Sequence, residues 1–393
     1  MHGSLMARER STPGLARERP GPTRRVDTRV IALIACVLSS QIGTSAVNVA
    51  LPALVEWSDS GFGAAQWTVV AYLLGMTGAS LVVGYGGDVI GRAKTLRIGL
   101  AVFVAAGIAC ALAPDLWTLV LARGVQGVGA AAMSTLPVAL VRDMVADRRS
   151  GSVMGLLGTA SAVGTAAGPA IGGVVQGTWG WPAIFWSMIL LPLIILAIPH
   201  ALTDTQATGV GASPRLQHEV RRRFDLTGSA IVGVAAATYA IAFTGEVFGT
   251  WWSLGLMATA GLLVTLLVPI ERRATHPVVP GSLMRSRALG LGTTLNLIVG
   301  AVMMSTLVVG PFYLTGMLRL SPTSVGLAMA AGPVVSIFSG VLAGRLVDRG
   351  SPARLVSGGL GVMALGATAL AVLPPLWGLP GYLLGTMILA PGY

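Results

Sequence analysis

Two polar side chains, Arg123 and Gln126, interrupt the apolar stretch "LARGVQGVGAAAMSTLPVALVRD" (residues 121 to 143). They stand three residues apart and therefore share one face of a helix. An arginine among apolar residues is costly and normally faces a cavity or a polar partner. Arg123 is near enough to the start of the stretch to extend towards polar surroundings, but Gln126 beside it favours a cavity. The other cavity or coupling candidates are Gln41, Asn48 and Met133; for Asn48 and Met133 the alternative is helix packing.

Charged residues also cluster in the segment "GYGGDVIGRAKTLRIG" (residues 84 to 99). Its glycines, among them Gly84 and Gly91, permit a tight turn. The turn brings Asp88, Arg92 and Lys94 together, where they can pair or cap neighbouring helix ends. The alternative is an ordinary hydrated loop.

The decapeptide "GTAAGPAIGG" (residues 164 to 173) places four glycines, Gly173 among them, and a proline inside an apolar segment. Glycine and proline are the poorest helix formers. Small residues recur every fourth position and form a bare stripe on which another helix can rest or slide. The stripe consists of Ala160, Gly164, Gly168 and Gly172. Pro169 removes one backbone donor and lets the helix bend. Static packing without motion is the alternative.

Catalytic chemistry is not indicated. The four histidines lie at segment ends or in loops, and no nucleophile–base pair or metal-ligand spacing accompanies them. Cys36 and Cys110 lie inside apolar segments, so neither a disulfide framework nor a metal cluster is expected. The sequence therefore predicts that the protein is not an enzyme and that it has no catalytic residues, no bound metal and no cofactor.

The elements that position these residues are predicted to be membrane-spanning helices. The chain of 393 residues is 54% hydrophobic and 10% charged, whereas a soluble domain carries about 25% charge. Its apolar blocks are continuous and long enough to cross a bilayer, unlike the short alternating strands of a barrel. The candidate helices cover residues 30–54, 66–86, 95–113, 116–140, 151–176, 181–199, 228–247, 251–270, 288–314, 323–344, 354–374 and 379–393.

Basic residues predict the orientation of these helices. All but two of the 26 lysines and arginines fall in segments on one side, and the exceptions are Arg123 and Arg319. Because arginine and lysine accumulate in cytoplasmic loops, we expect the N-terminus in the cytoplasm of a multi-pass protein of the bacterial plasma membrane. The net charge of +11 is spread between the apolar blocks, so no nucleic-acid partner is predicted.

Three of these stretches together resemble the signature motifs of the major facilitator superfamily. "GYGGDVIGRAK" is similar to the loop between its second and third helices, and "RGVQGVGAA" to its fourth-helix motif. "GTAAGPAIGG" resembles the fifth-helix motif of its antiporters. The resemblance implies an all-α membrane protein with two pseudo-symmetric bundles.

Further segments resemble the branch of drug:proton antiporters with fourteen helices (EmrB/QacA-type). They are "AVNVALPAL" (46–54), "FDLTGSAIVG" (224–233) and "LSPTSVGL" (320–327). "GRLVDRGSPARL" (344–355) echoes the first loop motif, with Asp348 matching Asp88. The two copies lie eight spans apart, so two extra helices separate two six-helix halves. Twelve of a probable fourteen helices are visible, and we expect that the chain is truncated in its twelfth.

The predicted organisation has six parts. They are a disordered cytoplasmic segment (1–29), an N-terminal six-helix bundle (30–200), a cytoplasmic linker (201–227), two extra helices (228–270), a cytoplasmic loop (271–287) and an incomplete C-terminal bundle (288–393).

The resemblance implies proton-driven export of small amphipathic molecules or drugs, by rocking of the two bundles about a midplane site. The stripe from Ala160 to Gly172 is expected at the moving interface, and Asp88 and Arg92 at the inner gate. Many relatives carry an aspartate where this chain has Gly43, so a neutral or anionic substrate fits better than a strongly cationic one. The expected partners are the lipid bilayer, the substrate and protons.

Two other functions stay open at this point. Uptake of a metabolite is disfavoured by the fifth-helix motif but not excluded. A non-transporting membrane protein or inactive fragment is the other, favoured by the expected truncation.

Overall fold

The computed structural model describes residues 28–144, 147–198, 250–273, 287–347 and 352–392, with Val234 and Thr238 as single helical positions. Several predicted features lie outside the described residues. They are the N-terminal segment up to residue 27, the linker 201–227, most of the span 228–247, the loop 274–286 and Asp348.

Every regular element among the described residues is a helix. The helices that form the first bundle are α1 (Thr28–Ser45), α2 (Leu51–Ser58), α3 (Phe62–Ile90), α4 (Arg92–Ala111), α5 (Leu116–Met144), α6 (Asp147–Trp179) and α7 (Pro182–Ala197). α8 (Thr250–Arg273) follows. The second bundle consists of α9 (Arg287–Phe312), α10 (Pro322–Val347), α11 (Pro352–Trp377) and α12 (Leu379–Leu389). In the described part of the chain, eight helical stretches are long and apolar enough to cross a membrane, and three shorter apolar helices accompany them.

The first predicted span is broken, which the sequence analysis did not anticipate. A 3₁₀ turn at Ala46–Ala50 separates α1 from α2. Pro52 has no N–H to give to the carbonyl of Asn48, which instead accepts from the N–H of Leu51. The side chain of Asn48 donates to the carbonyl of Ser45 at 3.2 Å. Because these bonds replace the α-helical pattern, the backbone tightens at this point.

Close glycine contacts fix α5 between α3 and α4. A Cβ atom on Gly127 would collide with the carbonyl of Tyr72, and one on Gly75 with the carbonyl of Gly124. On the opposite side, a Cβ on Gly129 would lie 2.6 Å from the backbone nitrogen of Phe103. In lipid, helices associate through such close packing rather than through a hydrophobic drive.

The two bundles meet at one end of the molecule, which we call the closed end, where α2 and α6 finish and α10 begins. The rings of Phe62 and Phe312 meet edge-to-face there, with centroids 4.7 Å apart. At the opposite, open end, Gly155 and Gly158 of α6 and Gly340 of α10 have no described neighbour within 4 Å of the Cβ position. The closest described contacts between the bundles therefore lie at the closed end.

All nine tryptophans lie in or beside the outermost turns of helices. Two of them mark the closed end: Trp57 lies in the last turn of α2, and its ring is 4.7 Å from that of Trp181, just before α7. Trp179 ends α6 and is 73% exposed. Since successive helices within each bundle alternate in direction, four more tryptophans of the two bundles belong to the same side. They are Trp67, Trp117, Trp186 and Trp377.

Candidate functional site

The buried polar centre of the first bundle is built around Arg123 on α5. Its side chain is completely buried. Nε donates to the carbonyl of Thr68 at 3.1 Å, and Nη2 donates to the carbonyl of Gly43 at 3.1 Å. Nη1 donates to Oε1 of Gln126 at 2.7 Å. The guanidinium therefore connects α5 to both α1 and α3.

An aromatic ring completes this centre. The guanidinium carbon of Arg123 lies 4.0 Å from the ring centroid of Tyr72, within the range of a cation–π interaction. The hydroxyl of Tyr72 donates to the carbonyl of Ser40 at 2.9 Å. Among the described residues, no carboxylate forms an ion pair with Arg123. Backbone carbonyls, an amide and an aromatic face thus solvate the buried cation.

A charged cluster lies at the open end, where α3 gives way to α4. Gly91, with φ of +103°, alone separates the two helices, a conformation that glycine adopts most readily. Arg92 donates from Nη1 to both oxygens of Asp143 at 2.8 and 2.7 Å, and from Nη2 to Asp88 at 3.2 Å. Nη1 also lies 3.3 Å from the carbonyl of Ala139. Arg92 therefore ties the α3–α4 turn to the end of α5.

A cavity of about 200 Å³ lies between the two bundles. Its walls come from α6 of the first bundle and from α9, α10 and α12 of the second. The residues lining it are Ala162, Thr165, Met303, Thr306, Leu307, Met329, Gly332, Pro333, Ser336, Tyr382, Thr386 and Leu389. Apolar side chains dominate, five hydroxyls interrupt them, and no lining residue is an acid or a base. Such a cavity suits a largely apolar small molecule.

The comparison with known proteins decides the family. Residues 33–392 match the Major Facilitator Superfamily. The chain belongs to this family. It has the all-helical major facilitator fold, as the sequence predicted, and its family is one of membrane transporters rather than enzymes.

Curated relatives include multidrug proteins. The chain is similar to the multidrug resistance protein Stp of Mycobacterium tuberculosis, with 31% identity over 313 residues covering 77% of this chain and 56% of Stp. It is 27% identical over 352 residues to the multidrug transporter protein MdtP of Bacillus subtilis, covering 88% of this chain and 62% of MdtP. The chain thus spans less than two thirds of the length of either protein.

Solved transporters share the fold. A peptide transporter POT in complex with sulfate superimposes with a TM-score of 0.67 at 16% identity, over 94% of this chain and 81% of that one. The xylose transporter XylE of E. coli does so with a TM-score of 0.60 at 14% identity, over 93% and 81%.

Within this major facilitator fold, the residues predicted to line a cavity do not line the cavity described above. None of the five, Gln41, Asn48, Arg123, Gln126 and Met133, lines the 200 Å³ cavity. All but Gln41 are buried within the first bundle. Gln41 is half-buried and donates to the hydroxyl of Ser161 on α6 at 2.6 Å. Arg123 and Gln126 share a helix face, but that face is turned into the packed core, where α1 and α3 supply hydrogen-bond acceptors to Arg123.

The glycine stripe of α6 also needs a correction. Gly164 packs against Leu38 and Gln41, and Gly168 and Gly172 pack against Ser45 and Ala46. These partners belong to the first span, so this part of the stripe faces its own bundle. The prediction that the stripe faces the other bundle was wrong for these glycines, since residues four apart stay on one helix face and that face is occupied by α1.

The neighbouring face of α6 makes the contact between bundles. Gly173 lies against the carbonyl of Pro322 and the Cα of Gly326, and the carbonyl of Pro169 also touches Gly326. The hydroxyl of Thr323 donates to the carbonyl of Gly173 at 3.4 Å. The segment "LSPTSVGL" is thus the surface on α10 that receives α6. α6 continues through Pro169 without interruption.

The residues of the loop motif that contains Asp88 also differ in their surroundings. Asp88 and Arg92 form an ion pair, whereas the side chain of Lys94 is exposed. Gly84 has no described neighbour within 4 Å of its Cβ position. The sequence did not lead us to predict Asp143 as the closer partner of Arg92. The position of Asp143 at the end of the α5 motif is the signal that could have indicated this pair.

Proposed function

We propose that this chain works as a proton-driven exporter of small amphipathic molecules by alternating access. The supporting observation is the cavity walled by α6 from one bundle and by α9, α10 and α12 from the other. Because the bundles make their closest described contacts at the closed end, rocking them about this cavity would exchange the side from which it opens. The multidrug relatives support export of chemically varied compounds.

The proposed orientation puts the closed end outside and the N-terminus in the cytoplasm of a bacterium. The support is that arginines accumulate in the segments that connect successive helices at the open end. An epitope tag inserted at Arg221–Arg223 should be reached by antibody only after intact cells are permeabilised. Labelling of intact cells would overturn the orientation.

The proposed subtype is the drug:proton antiporter branch with fourteen helices. The support is the eight-span offset between the loop motifs that contain Asp88 and Asp348, together with the greater length of the relatives Stp and MdtP.

Coupling to protons is proposed without an assigned carboxylate in the first span. Gly43 occupies the position at which many relatives carry an aspartate, and its carbonyl accepts from Arg123. A Cβ on Gly43 would lie 2.9 Å from the hydroxyl of Tyr72 and 3.3 Å from the ring of Phe103. An aspartate would therefore need these two rings to move. We propose that Asp88, Arg92 and Asp143 latch the inner gate.

Transport into everted membrane vesicles tests the proposal. Vesicles carrying the chain should accumulate compounds from a panel of neutral amphiphiles only when their interior is acidified, and a protonophore should stop the accumulation. A Phe62→Cys/Phe312→Cys variant, oxidised to lock the closed end, should lose transport and regain it on reduction. Cys36 and Cys110 are buried and so interfere little. Accumulation without a proton gradient, or after locking, would overturn the mechanism.

Uptake of a metabolite is the second candidate. It is favoured by the similarity to the riboflavin transporter RibZ of Clostridioides difficile, 25% identical over 347 residues covering 88% of this chain and 73% of RibZ. Right-side-out vesicles distinguish the two directions, because an uptake system should concentrate its substrate there and an exporter should not.

A further inference from the structure

We propose that the cavity between the bundles selects uncharged molecules that combine an apolar body with an N–H or O–H group. This inference rests on the proposed transport function and specifies the substrate chemistry of the same site. It depends on the hydroxyls of the cavity, on the absence of charge in its lining and on its size.

Four of the five hydroxyls of the cavity, those of its threonines and its serine, already donate their hydrogens to backbone carbonyls. Thr306 donates to the carbonyl of Met303 at 2.8 Å, and Thr386 donates to that of Leu383 at 2.9 Å. Thr165 and Ser336 likewise donate to backbone carbonyls, at 3.0 Å and 3.2 Å. Each hydroxyl has one hydrogen and two acceptor lone pairs. The oxygens of these four residues are therefore left as acceptors, which match a donor on the ligand.

The described lining holds no side chain that could neutralise a charged ligand. None of the described residues around the cavity is a carboxylate, an amine or a guanidinium. A permanent cation would lose its water here without gaining a counter-charge, which is costly in apolar surroundings. An anion meets the same cost at the threonine and serine hydroxyls, because their four hydrogens are committed to carbonyls. Both signs of charge are thus disfavoured relative to a neutral molecule.

The size and shape of the cavity favour a compact ring system. Its volume of about 200 Å³ is below the roughly 300–1,000 Å³ typical of sites for drug-sized ligands. Met303 and Met329 line the cavity, and methionine adapts its shape to irregular partners. The ring of Tyr382 stacks on that of Tyr313 at 6.2 Å and 19°, which holds one aromatic wall in place.

Four naphthalene probes test the selectivity directly on the purified chain in lipid nanodiscs, by equilibrium dialysis. 1-Naphthol is neutral with a donor, 1-methoxynaphthalene is neutral without one, and 1-naphthyltrimethylammonium and 1-naphthalenesulfonate are permanently charged. We expect 1-naphthol to bind about fivefold more tightly than the methyl ether, the effect of one hydrogen bond, and at least about tenfold more tightly than either ion. Equal or tighter binding of the ether or of an ion would overturn the inference.

Single substitutions identify which cavity hydroxyl accepts the hydrogen bond from the ligand. Thr306→Val and Thr386→Val keep the side-chain shape and remove the oxygen, so each should lower the advantage of 1-naphthol over its ether. Thr368→Val is the control, because Thr368 is exposed on α11 and its hydroxyl also donates to a carbonyl, that of Ala364 at 2.9 Å. If Thr165→Val and Ser336→Ala, together with Thr306→Val and Thr386→Val, all keep the parent's preference, the hydroxyl acceptors are not responsible and the inference fails. If a variant does not fold, the order of the four probes on the parent still decides.

The vesicle assay separates this inference from the proposed function. Proton-driven export of permanently cationic compounds, with no preference for 1-naphthol in binding, would overturn the selectivity and leave export standing. Failure to move any compound, with the expected order of the four probes, would overturn export and leave the selectivity of the cavity standing.

Discussion

The two bundles differ in where their polar side chains lie. In the first, Arg123 and Gln126 are fully buried, and the guanidinium donates to the carbonyls of Thr68 and Gly43 on neighbouring helices and to the amide oxygen of Gln126. In the second, the hydroxyls of Thr306 and Thr386 lie beside an open cavity.

This difference teaches that a strongly polar residue within a membrane helix need not face the transported molecule. Arg123 costs so much to bury that the bundle surrounds it with carbonyls, an amide and a ring. Threonine costs little, because its hydroxyl is satisfied by its own helix. We therefore treat the first bundle as the rigid frame and the cavity side of the second as the selective surface.

The largest expected effect concerns the rigid frame. Arg123→Ala leaves the carbonyls of Gly43 and Thr68 and the amide oxygen of Gln126 without this donor. We expect a loss of about 3–5 kcal/mol of stability, as when one partner of a buried charged contact is removed. The measurement is the midpoint of thermal unfolding in detergent.

Lys94→Ala is the matched control, because that basic side chain is exposed and its loss should leave the midpoint unchanged. Arg123→Lys should lie between the two, since an ammonium cannot reproduce the guanidinium fork. If Arg123→Ala melted like the parent but changed the preference among transported compounds, the division between frame and selective surface would be wrong.

The next largest effects are expected from substitutions on the two faces of α6. Gly168→Ala places a Cβ against Ser45 within the first bundle and should cost about 1–3 kcal/mol of stability through overpacking. Gly173→Ala places one 2.7 Å from the Cα of Gly326 in the second bundle. It should instead push the closed end apart and lower the yield of the Phe62→Cys/Phe312→Cys disulfide.

Gly155→Ala is the control for both, because no described atom lies within 4 Å of its Cβ position. A fall in disulfide yield for Gly168→Ala equal to that for Gly173→Ala would show that the faces of α6 do not act separately.

A smaller effect is expected for Arg92, at the open end. Its ion pair with Asp143 is partly exposed, with side-chain exposures of 32% and 53%, so solvent screens it. Arg92→Ala should cost no more than about 1 kcal/mol of stability, and high salt should reduce the difference from the parent. A melting difference as large as that of Arg123→Ala would contradict this ranking.

The smallest effect is at Asp115, just before α5. Hydrogen bonds from the hydroxyl and the backbone N–H of Thr118, at 2.7 and 2.9 Å, hold the pKa of this carboxyl below its usual value. A lowered pKa in the folded state stabilises the fold above the unfolded pKa, and the contribution is lost as the pH falls through the folded pKa. Asp115→Ala should therefore melt slightly lower than the parent at neutral pH, and the difference should shrink in acid. Asp115→Asn, which keeps an acceptor, should melt closer to the parent; a difference independent of pH would contradict the assignment.

Much of the fold could be predicted from the sequence because apolar length and the sidedness of arginine are physical requirements of a bilayer. The break at Ala46–Ala50 was missed, although Pro52 removes a backbone donor, because hydropathy alone does not register hydrogen bonds. The prediction for the stripe identified the close packing of Gly164 and Gly168 but not its partner, since spacing shows that a face is bare and not which helix occupies it.

The cavity could not be predicted in the same way. Thr306, Ser336 and Thr386 occur in apolar helices, where such hydroxyls usually bond their own backbone. They become a surface only when α6 crosses α10 and leaves space beside α9 and α12. That crossing depends on contacts between residues about 150 positions apart, such as Gly173 and Thr323.

The tryptophans gathered at the closed end make the protein an optical marker of a single leaflet. Indole emission should be quenched by brominated acyl chains when these lipids occupy that leaflet and hardly at all when they occupy the other. The same signal reports the direction of insertion in reconstituted liposomes without any added label.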